Sequence, residues 1–170
     1  ALLDADEILL GPGSPTYGAR QLRDSLAARM IQARHALGAV LFLSSSSTLA
    51  FSRFTMPVYE VYKVGQDLHW QDGVNFLAPY GLNTVVIPHW DNTDGGADLD
   101  TSRCYMGQDR FGQLLDLLPN AEDLTVIGID EHTSLILDFQ AEVCHVMGNS
   151  TVTILRAGDS QTFSSGSRFS

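Results

Sequence analysis

The sequence is short of basic residues. Lysine and arginine together number 10, against 20 aspartates and glutamates, which leaves a formal net charge of −10 at pH 7. A protein that binds nucleic acid non-specifically neutralises phosphates with a basic surface, so this composition argues against a nucleic-acid partner. We interpret the acidity as a means of keeping the protein soluble.

Cysteine is also scarce, since the chain contains only Cys104 and Cys144. Their spacing matches no metal-ligand motif, and two distant cysteines do not build a disulfide framework. Disulfides belong to oxidising compartments and are rare where thiols are kept reduced. We therefore expect a cytoplasmic protein.

Long apolar runs are absent as well. No stretch approaches the roughly 18 consecutive apolar residues of a membrane span, and no leader-like segment opens the chain, so we expect no membrane partner. The chain of 170 residues begins with Ala1, which we interpret as a fragment without its first strands or as a processed chain. We expect one domain, 1–170, whose polar end at 156–170 forms an edge hairpin or frays.

What the sequence does contain is an alternation of apolar strands and amphipathic helices. Apolar runs predict strands at 7–10, 39–43, 84–87, 124–129, 134–137, 142–146 and 151–155. Helical spacing predicts helices over 17–37, 48–54 and 105–118, whereas V-Y-E-V-Y-K-V at 58–64 alternates like a strand. The pattern predicts an α/β fold: a mostly parallel, doubly wound sheet flanked by helices, with antiparallel strands near the C-terminus.

Four serines follow one of these strands, in the stretch G-A-V-L-F-L-S-S-S-S-T-L-A at 38–50. The stretch predicts a strand buried on both faces, a tight turn and the start of a helix. Catalytic groups collect at the carboxyl ends of strands in open α/β sheets, so Ser45 is a candidate nucleophile. A serine run is also typical of an ordinary loop or helix cap, and that alternative stays open.

Two other strands deliver titratable side chains in the same way. One predicted strand is followed by His89, and another is followed by Asp130 and Glu131. A serine hydroxyl becomes an effective nucleophile when a neighbouring imidazole takes its proton, and a carboxylate commonly orients that imidazole. We therefore expect Ser45, His89 and one of the two carboxylates to converge at one edge of the sheet.

We expect no metal and no other cofactor. The acidic stretch at 91–100, D-N-T-D-G-G-A-D-L-D, departs from the spacing of a calcium loop, which predicts a solvated turn. Isolated histidines are usually hydrogen-bonded structural residues. A metal held by His69, His89, Asp91 and His132 is a weaker alternative.

Four segments carry a family resemblance. They are the serine stretch at 38–50, V-V-I-P-H-W at 85–90, R-F-G-Q-L-L at 110–115 and, as the most specific, G-I-D-E-H-T at 128–133. They resemble the signature segments of the serine peptidases that include dipeptidase E and cyanophycinase. The resemblance extends over 7–155 and implies the class I glutamine amidotransferase-like fold without its first strands and helices.

The resemblance implies catalytic roles for the matching residues. Ser45 takes the position of the nucleophile, on a nucleophile elbow, and His89 takes that of the base. Glu131 takes the position of the orienting carboxylate, with Asp130 as its rival. The sequence does not choose between the two acids.

Further residues are implied in binding. The loop G-P-G-S-P at 11–15 resembles the family's glycine-rich loop, so Gly13 and Ser46 are the expected main-chain donors of an oxyanion hole. Arg103 or Arg110 is expected to pair a substrate carboxylate, because the guanidinium group matches carboxylate geometry. Either arginine is alternatively part of an exposed ion pair at a helix end.

The chain departs from the family pattern near both candidate groups. Where the family has G-x-S-A-G-A, Leu43 and Ser47 stand at the glycine positions, and their Cβ atoms are expected to crowd the bend. Ile87 and Pro88 replace the polar pair that precedes the family's histidine, and Gln113 stands where an arginine is usual.

Two functions from different classes follow. The first is a serine hydrolase, a peptidase or amidase with a Ser-His-Glu triad, that acts on a small peptide or amide or on an acidic-residue peptide. The alternative is a non-catalytic relative that binds a metabolite or a protein partner in the same cleft. A homodimer is a candidate assembly.

Overall fold

The computed structural model describes residues 2–170, which divide into two compact units between Val85 and Val86. The elements of the first unit are β1 (Glu7–Leu10), α1 (Pro15–Leu22), α2 (Leu26–Ala36), β2 (Val40–Leu43), α3 (Ser46–Phe51), β3 (Phe54–Thr55), α4 (Val58–Tyr62) and β4 (Gln71–Asp72), with 3-10 turns at Leu2–Asp4 and Ala78–Tyr80.

A parallel pair of strands organises the first unit. β1 and β2 pair in a register that places Leu10 opposite Leu43, so the two strands end side by side. Helices α1, α2 and α3 supply most of the core that packs on them. The buried residues of this cluster are Ile8, Ala19, Ile31, Ala50, Phe51 and Phe76.

β2 is buried on one face only. Val40 and Phe42 are 49% and 48% exposed, whereas Leu41 and Leu43 pack against the core of the first unit. The expectation of a strand buried on both faces was therefore wrong. Successive side chains of a strand point to opposite faces, and in the first unit only one of these faces meets the core.

The helix predicted over 17–37 is two helices. α1 ends before Arg23, Asp24 adopts a left-handed backbone with φ of 60°, and Ser25 then caps α2 by accepting a hydrogen bond from the amide of Ala28 at 3.1 Å. The apolar spacing continues across the break, which is why periodicity alone did not reveal it. The predicted helix end at 37 is confirmed to within one residue, since α2 ends at Ala36, and Gly38 then has φ of 102°.

The strand predicted at 58–64 is wrong, because this segment forms α4. Val58 and Val61, three residues apart, are buried, while Tyr59 and Val64 are exposed. The buried pair Val58 and Val61 therefore fits a helix face better than the alternation that the sequence suggested.

The second unit begins within β5 (Thr84–Ile87). Its further elements are α5 (Gly107–Asp116), β6 (Thr125–Ile129), β7 (Thr133–Asp138), β8 (Val143–Gly148), β9 (Thr151–Arg156), β10 (Asp159–Ser164) and β11 (Arg168–Phe169), with a 3-10 turn at Ala121–Asp123. The helix predicted over 105–118 is thus present with shorter ends.

Antiparallel pairing dominates the second unit. β9 pairs antiparallel with both β6 and β10, in a sheet of order β10-β9-β6-β5, and β8 pairs antiparallel with β7 and β11 in a second sheet. The polar end of the chain forms edge strands rather than fraying, and Phe163 and Phe169 stack there with ring centroids 3.8 Å apart. The fold is a mixed α/β fold, and the expected antiparallel strands near the C-terminus are confirmed. The expectation of a mostly parallel sheet was wrong, because the parallel pair β1 and β2 forms a two-stranded sheet of its own and antiparallel pairs dominate the rest.

Candidate active site

Ser45 has an unusual backbone between β2 and α3. Its φ and ψ are 55° and −120°, a combination that L-residues avoid and that costs roughly 1–3 kcal/mol. The carbonyl of Ser45 accepts hydrogen bonds from the amide of Thr48 at 3.0 Å and from its hydroxyl at 2.7 Å. The first turn of α3 therefore holds the strained residue in place.

The side chain of Ser47 fastens the turn instead of disrupting it. Its hydroxyl oxygen accepts the amide of Ser44 at 2.7 Å. Its hydroxyl proton lies within reach of the carbonyls of Leu10 at 2.8 Å and Ser44 at 2.9 Å. A Cβ at this position is thus accommodated, and the hydroxyl ties the end of β1 to the end of β2.

Gly13 lies beside the start of α3. A Cβ built on Gly13 would have the hydroxyl oxygen of Ser46 as its nearest neighbour, 4.0 Å away. Ser46 is the first residue of α3, where helix amides have no intrahelical acceptor. The first unit therefore brings together the two residues that the sequence suggested as main-chain donors.

His89 and Glu131 form a hydrogen-bonded pair in the second unit. They follow β5 and β6, which are neighbouring strands, and Nδ1 of His89 lies 2.9 Å from Oε1 of Glu131. An ionised carboxylate only accepts hydrogen bonds, so Nδ1 carries the proton and donates it. In the neutral imidazole, Nε2 is then the basic nitrogen.

The carboxylate of Glu131 has a second donor that the sequence reasoning missed. Nδ2 of Asn92 donates to the same Oε1 at 2.8 Å, and Asn92 is only 2% exposed. The hydrogen bonds from Asn92 and then from His89 hold the pKa of Glu131 below its usual value. The only signal in the sequence was the position of Asn92 three residues after the candidate base, within a stretch predicted as a solvated turn.

Asp130 is engaged elsewhere. Its Oδ2 accepts hydrogen bonds from the hydroxyl of Ser150 at 2.7 Å, the amide of Thr151 at 3.0 Å and the hydroxyl of Thr151 at 2.6 Å. Asp130 is 7% exposed. It joins the end of β6 to the start of β9, while Glu131 faces the histidine.

The two candidate arginines bind main-chain carbonyls. Nη1 of Arg103 donates to the carbonyl of Trp90 at 2.6 Å, and its guanidinium lies 3.9 Å from the centroid of the Trp90 ring. Arg110 donates to the carbonyls of Met106 and Tyr105 at 2.6 and 3.0 Å. Burial is the main cause that lowers the pKa of Arg103. These contacts hold the segment that follows Trp90.

A groove of about 390 Å³ lies next to Arg103, within the second unit. Its walls combine aromatic, aliphatic and hydroxyl side chains from the Trp90 segment, α5, β9 and β10. Residues that line it include Trp90, Arg103, Phe111, Leu115, Thr153 and Thr162. It offers one cation, two aromatic rings and three hydroxyls, the third from Ser160, to a small ligand.

Neither a metal centre nor a membrane helix is seen in residues 2–170. No group of three or more His, Cys, Asp and Glu side chains is arranged there to hold a metal ion. His69 instead hydrogen-bonds the carbonyl of Asp67 at 2.9 Å. No helix in this part of the chain is long and apolar enough to cross a membrane.

Solved structures share this arrangement of elements. A crystal structure of a peptidase from an acI-B1 Actinobacterium matches 99% of this chain with a TM-score of 0.72 and 22% sequence identity. The chain has the fold of that peptidase. A 1.5 Å crystal structure of a candidate peptidase E protein from Listeria monocytogenes EGD-e matches 96% with a TM-score of 0.51 and 15% identity. This chain spans 61% of the length of each of these proteins. No protein-family model and no curated protein matches it.

Proposed function

We propose that the protein is a serine hydrolase, a peptidase or amidase, in which Ser45 is the nucleophile, His89 the general base and Glu131 the orienting carboxylate. The observation that carries the proposal is the strained backbone of Ser45 at the junction of β2 and α3. A nucleophile elbow presents its serine on a sharp strand-to-helix turn of this kind. The hydrogen bond between His89 and Glu131 supplies the matching acid–base pair.

The proposed chemistry is acyl transfer. The oxygen of Ser45 attacks the substrate carbonyl while Nε2 of His89 takes its proton, and the ionised Glu131 stabilises the imidazolium that forms. The protonated His89 then gives its proton to the leaving amine, and a water molecule hydrolyses the acyl-enzyme by the same two steps. The amides of Gly13 and Ser46 are the proposed donors to the oxyanion, where losing one donor typically costs about 3 kcal/mol of barrier.

For the substrate we propose a small peptide or amide, or a peptide with an acidic residue. The groove beside Arg103 supports a carboxylate-bearing ligand, because the guanidinium stacks on Trp90 and forms part of the groove wall. Guanidinium groups bind carboxylates with matched geometry. Arg110 is the second candidate for this contact.

We also propose that the chain belongs to the dipeptidase E and cyanophycinase family and has a class I glutamine amidotransferase-like fold. The resemblance of G-I-D-E-H-T at 128–133 to that family supports both. Strands preceding β1 stay a prediction. Two free cysteines, Cys104 buried and Cys144 half-buried, support a cytoplasmic location. A homodimer stays a candidate assembly.

Labelling with a fluorophosphonate probe tests the proposal, which requires the hydroxyl of Ser45 to reach Nε2 of His89. We expect the folded chain to be labelled and Ser45→Ala to abolish labelling. Ser44→Ala is the matched control, because Ser44 is the exposed neighbour in the same turn. It should leave labelling intact.

The outcomes separate the two functions. Labelling that persists in Ser45→Ala would assign the nucleophile elsewhere. A folded chain that is never labelled would favour the alternative, in which the same scaffold binds a metabolite or a protein partner without catalysis.

A further inference from the structure

Asn92 is a buried amide beside the proposed acid–base pair. It is 2% exposed, its Nδ2 donates to Oε1 of Glu131 at 2.8 Å, and its backbone amide donates to the carbonyl of His89 at 3.3 Å. We propose that Asn92 is a positioning residue, which fixes the carboxylate of Glu131 so that the imidazole of His89 is held in one orientation. This inference rests on the serine-hydrolase function proposed above.

The orientation of the Asn92 amide follows from its two partners. Oδ1 accepts the backbone amide of Asp94 at 3.1 Å, so Nδ2 is the end that faces Glu131. The reversed amide would set its oxygen against the carboxylate and its NH₂ against an N–H group, which loses both hydrogen bonds. The loop thus presents a donor, with no added charge, to the carboxylate.

Glu131 is held at both ends by consecutive residues of this loop. Its backbone amide donates to Oδ1 of Asp91 at 2.7 Å, while its side chain accepts from Asn92. Because Oε1 receives both Asn92 and His89, rotation of the carboxylate would break two bonds together. The carboxylate therefore has one favoured position, and Nδ1 of His89 has a fixed acceptor.

Several charged groups surround the pair and define its electrostatic setting. Asp91 and Asp94 lie in the loop, and the ring of Tyr105 lies 6.2 Å from that of His89 between centroids. Burial and, to a smaller extent, Asp94 raise the pKa of Glu131, while the hydrogen bonds from Asn92 and His89 lower it and prevail. A donor that stabilises the carboxylate keeps it ionised next to the histidine.

Two readouts on Asn92→Ala test the inference, with Thr93→Ala as the matched control, because Thr93 is the exposed next residue of the loop. The first is the proton resonance of His89 Nδ1–H, which a fixed carboxylate acceptor shifts downfield and protects from exchange. It is assigned by its loss in His89→Gln, which removes the imidazole. We expect this resonance to move upfield or broaden in Asn92→Ala and to stay unchanged in Thr93→Ala.

The second readout is the rate of labelling by the fluorophosphonate probe. A hydrogen bond to a charged group typically changes an equilibrium constant at least about tenfold, so we expect labelling of Asn92→Ala to be at least about tenfold slower. Asn92→Ser replaces the alanine variant if that variant folds poorly. Serine is too short to reach Glu131 but fills more of the site than alanine, so the labelling rate should fall by the same factor.

The outcomes distinguish this inference from the proposed function. An unchanged Nδ1–H resonance in either folded Asn92 variant would overturn it, as would a changed resonance with an unchanged labelling rate. If the wild-type chain shows the resonance but is not labelled, the hydrolase function fails. In that case, loss of the resonance in Asn92→Ala still supports the positioning of Glu131.

Discussion

Two candidate catalytic residues have left-handed backbones, and for His89 a distant part of the chain supports this conformation. Ser45 has φ of 55° and His89 has φ of 52°, conformations that are uncommon for residues with a Cβ. The carbonyl of His89 accepts the amides of Asn92 and Cys104 at 3.3 and 3.1 Å. Cys104 lies 15 positions after His89 (104 − 89). The local sequence therefore identifies His89 as a candidate but does not predict its backbone conformation.

The local sequence likewise could not decide whether Asp130 or Glu131 contacts His89. Both follow β6 and both were candidates from the sequence. Ser150 and Thr151, at the start of a later strand, bind Asp130 and leave Glu131 to face His89. No pattern near 130 could reveal partners that lie 20 residues further along.

Gly128 is predicted to be essential for packing, because Trp90 lies flat against it. A Cβ at Gly128 would stand 2.3 Å from Cδ2 of the Trp90 ring, which is far inside van der Waals contact. We expect Gly128→Ala to lower the free energy of unfolding by about 2 kcal/mol, since overpacking a core costs roughly 1–3 kcal/mol. Urea unfolding followed by tryptophan fluorescence measures this.

The control for this substitution is Gly112→Ala. Gly112 lies within α5, where an added Cβ meets nothing within 4 Å, and alanine is a better helix former than glycine by about 1 kcal/mol. The control should therefore stabilise the protein. Equal effects of the two substitutions would contradict the packing role of Gly128.

At the scale of elements, strands were predicted better than helices. β1 and β5 have the predicted bounds, Glu7–Leu10 and Thr84–Ile87, because turn residues on both sides limit these apolar runs to the length of a strand. α4 was misread because valines and tyrosines favour strands, while packing of Val58 and Val61 against the core favours a helix. Tertiary contacts decided this segment, and its propensity did not.

The break between α1 and α2 leads to a prediction for Ser25. Its hydroxyl oxygen accepts the amide of Ala28 at 3.1 Å and caps α2. Ser25→Ala should lower the free energy of unfolding by about 1 kcal/mol, the typical value of an N-cap side chain. Ser25→Asp, which also caps, should restore stability in the same urea titration. If aspartate fails to restore it, the cap is not the reason for the loss.

At the scale of the whole molecule, acidic groups outnumber basic ones two to one, and the structure gives several acids individual donors. Hydrogen bonds, first of all the one from Tyr105, lower the pKa of Asp94, and hydrogen bonds donated by Ser102 and Gln108 lower the pKa of Asp100. The pKa of Glu131 is lowered as well. Net charge was readable from the sequence, whereas these donors follow from how the loop after His89 folds back on itself.

The bond between Tyr105 and Asp94 predicts a pH dependence of stability with two limits. The hydroxyl of Tyr105 donates to Oδ2 of Asp94 at 2.7 Å, which raises the pKa of Tyr105 from 10.0 to about 12 and lowers that of Asp94. Because folding lowers the pKa of Asp94, this carboxylate stabilises the folded state above its unfolded pKa of 3.8. The stabilisation is lost as pH falls through the pKa of Asp94 in the folded state. Because folding raises the pKa of Tyr105, its protonated hydroxyl stabilises the folded state below pH 10.0, and this stabilisation is lost as pH rises toward about 12.

Tyr105→Phe should therefore make the free energy of unfolding less dependent on pH, both in acid and in alkali. We expect the free energy of unfolding of the wild type to exceed that of Tyr105→Phe near neutral pH, and the difference to shrink in acid and again in alkali, because protonated Asp94 or ionised Tyr105 can no longer make the bond. Urea titrations across pH measure it, with Tyr17→Phe, at an exposed tyrosine, as the control that should run parallel to the wild type. If the pH dependence of Tyr105→Phe also ran parallel to that of the wild type, the bond between Tyr105 and Asp94 would not contribute to stability. The structure of the loop would then depend on the contacts of Asp91 and Asn92 with Glu131.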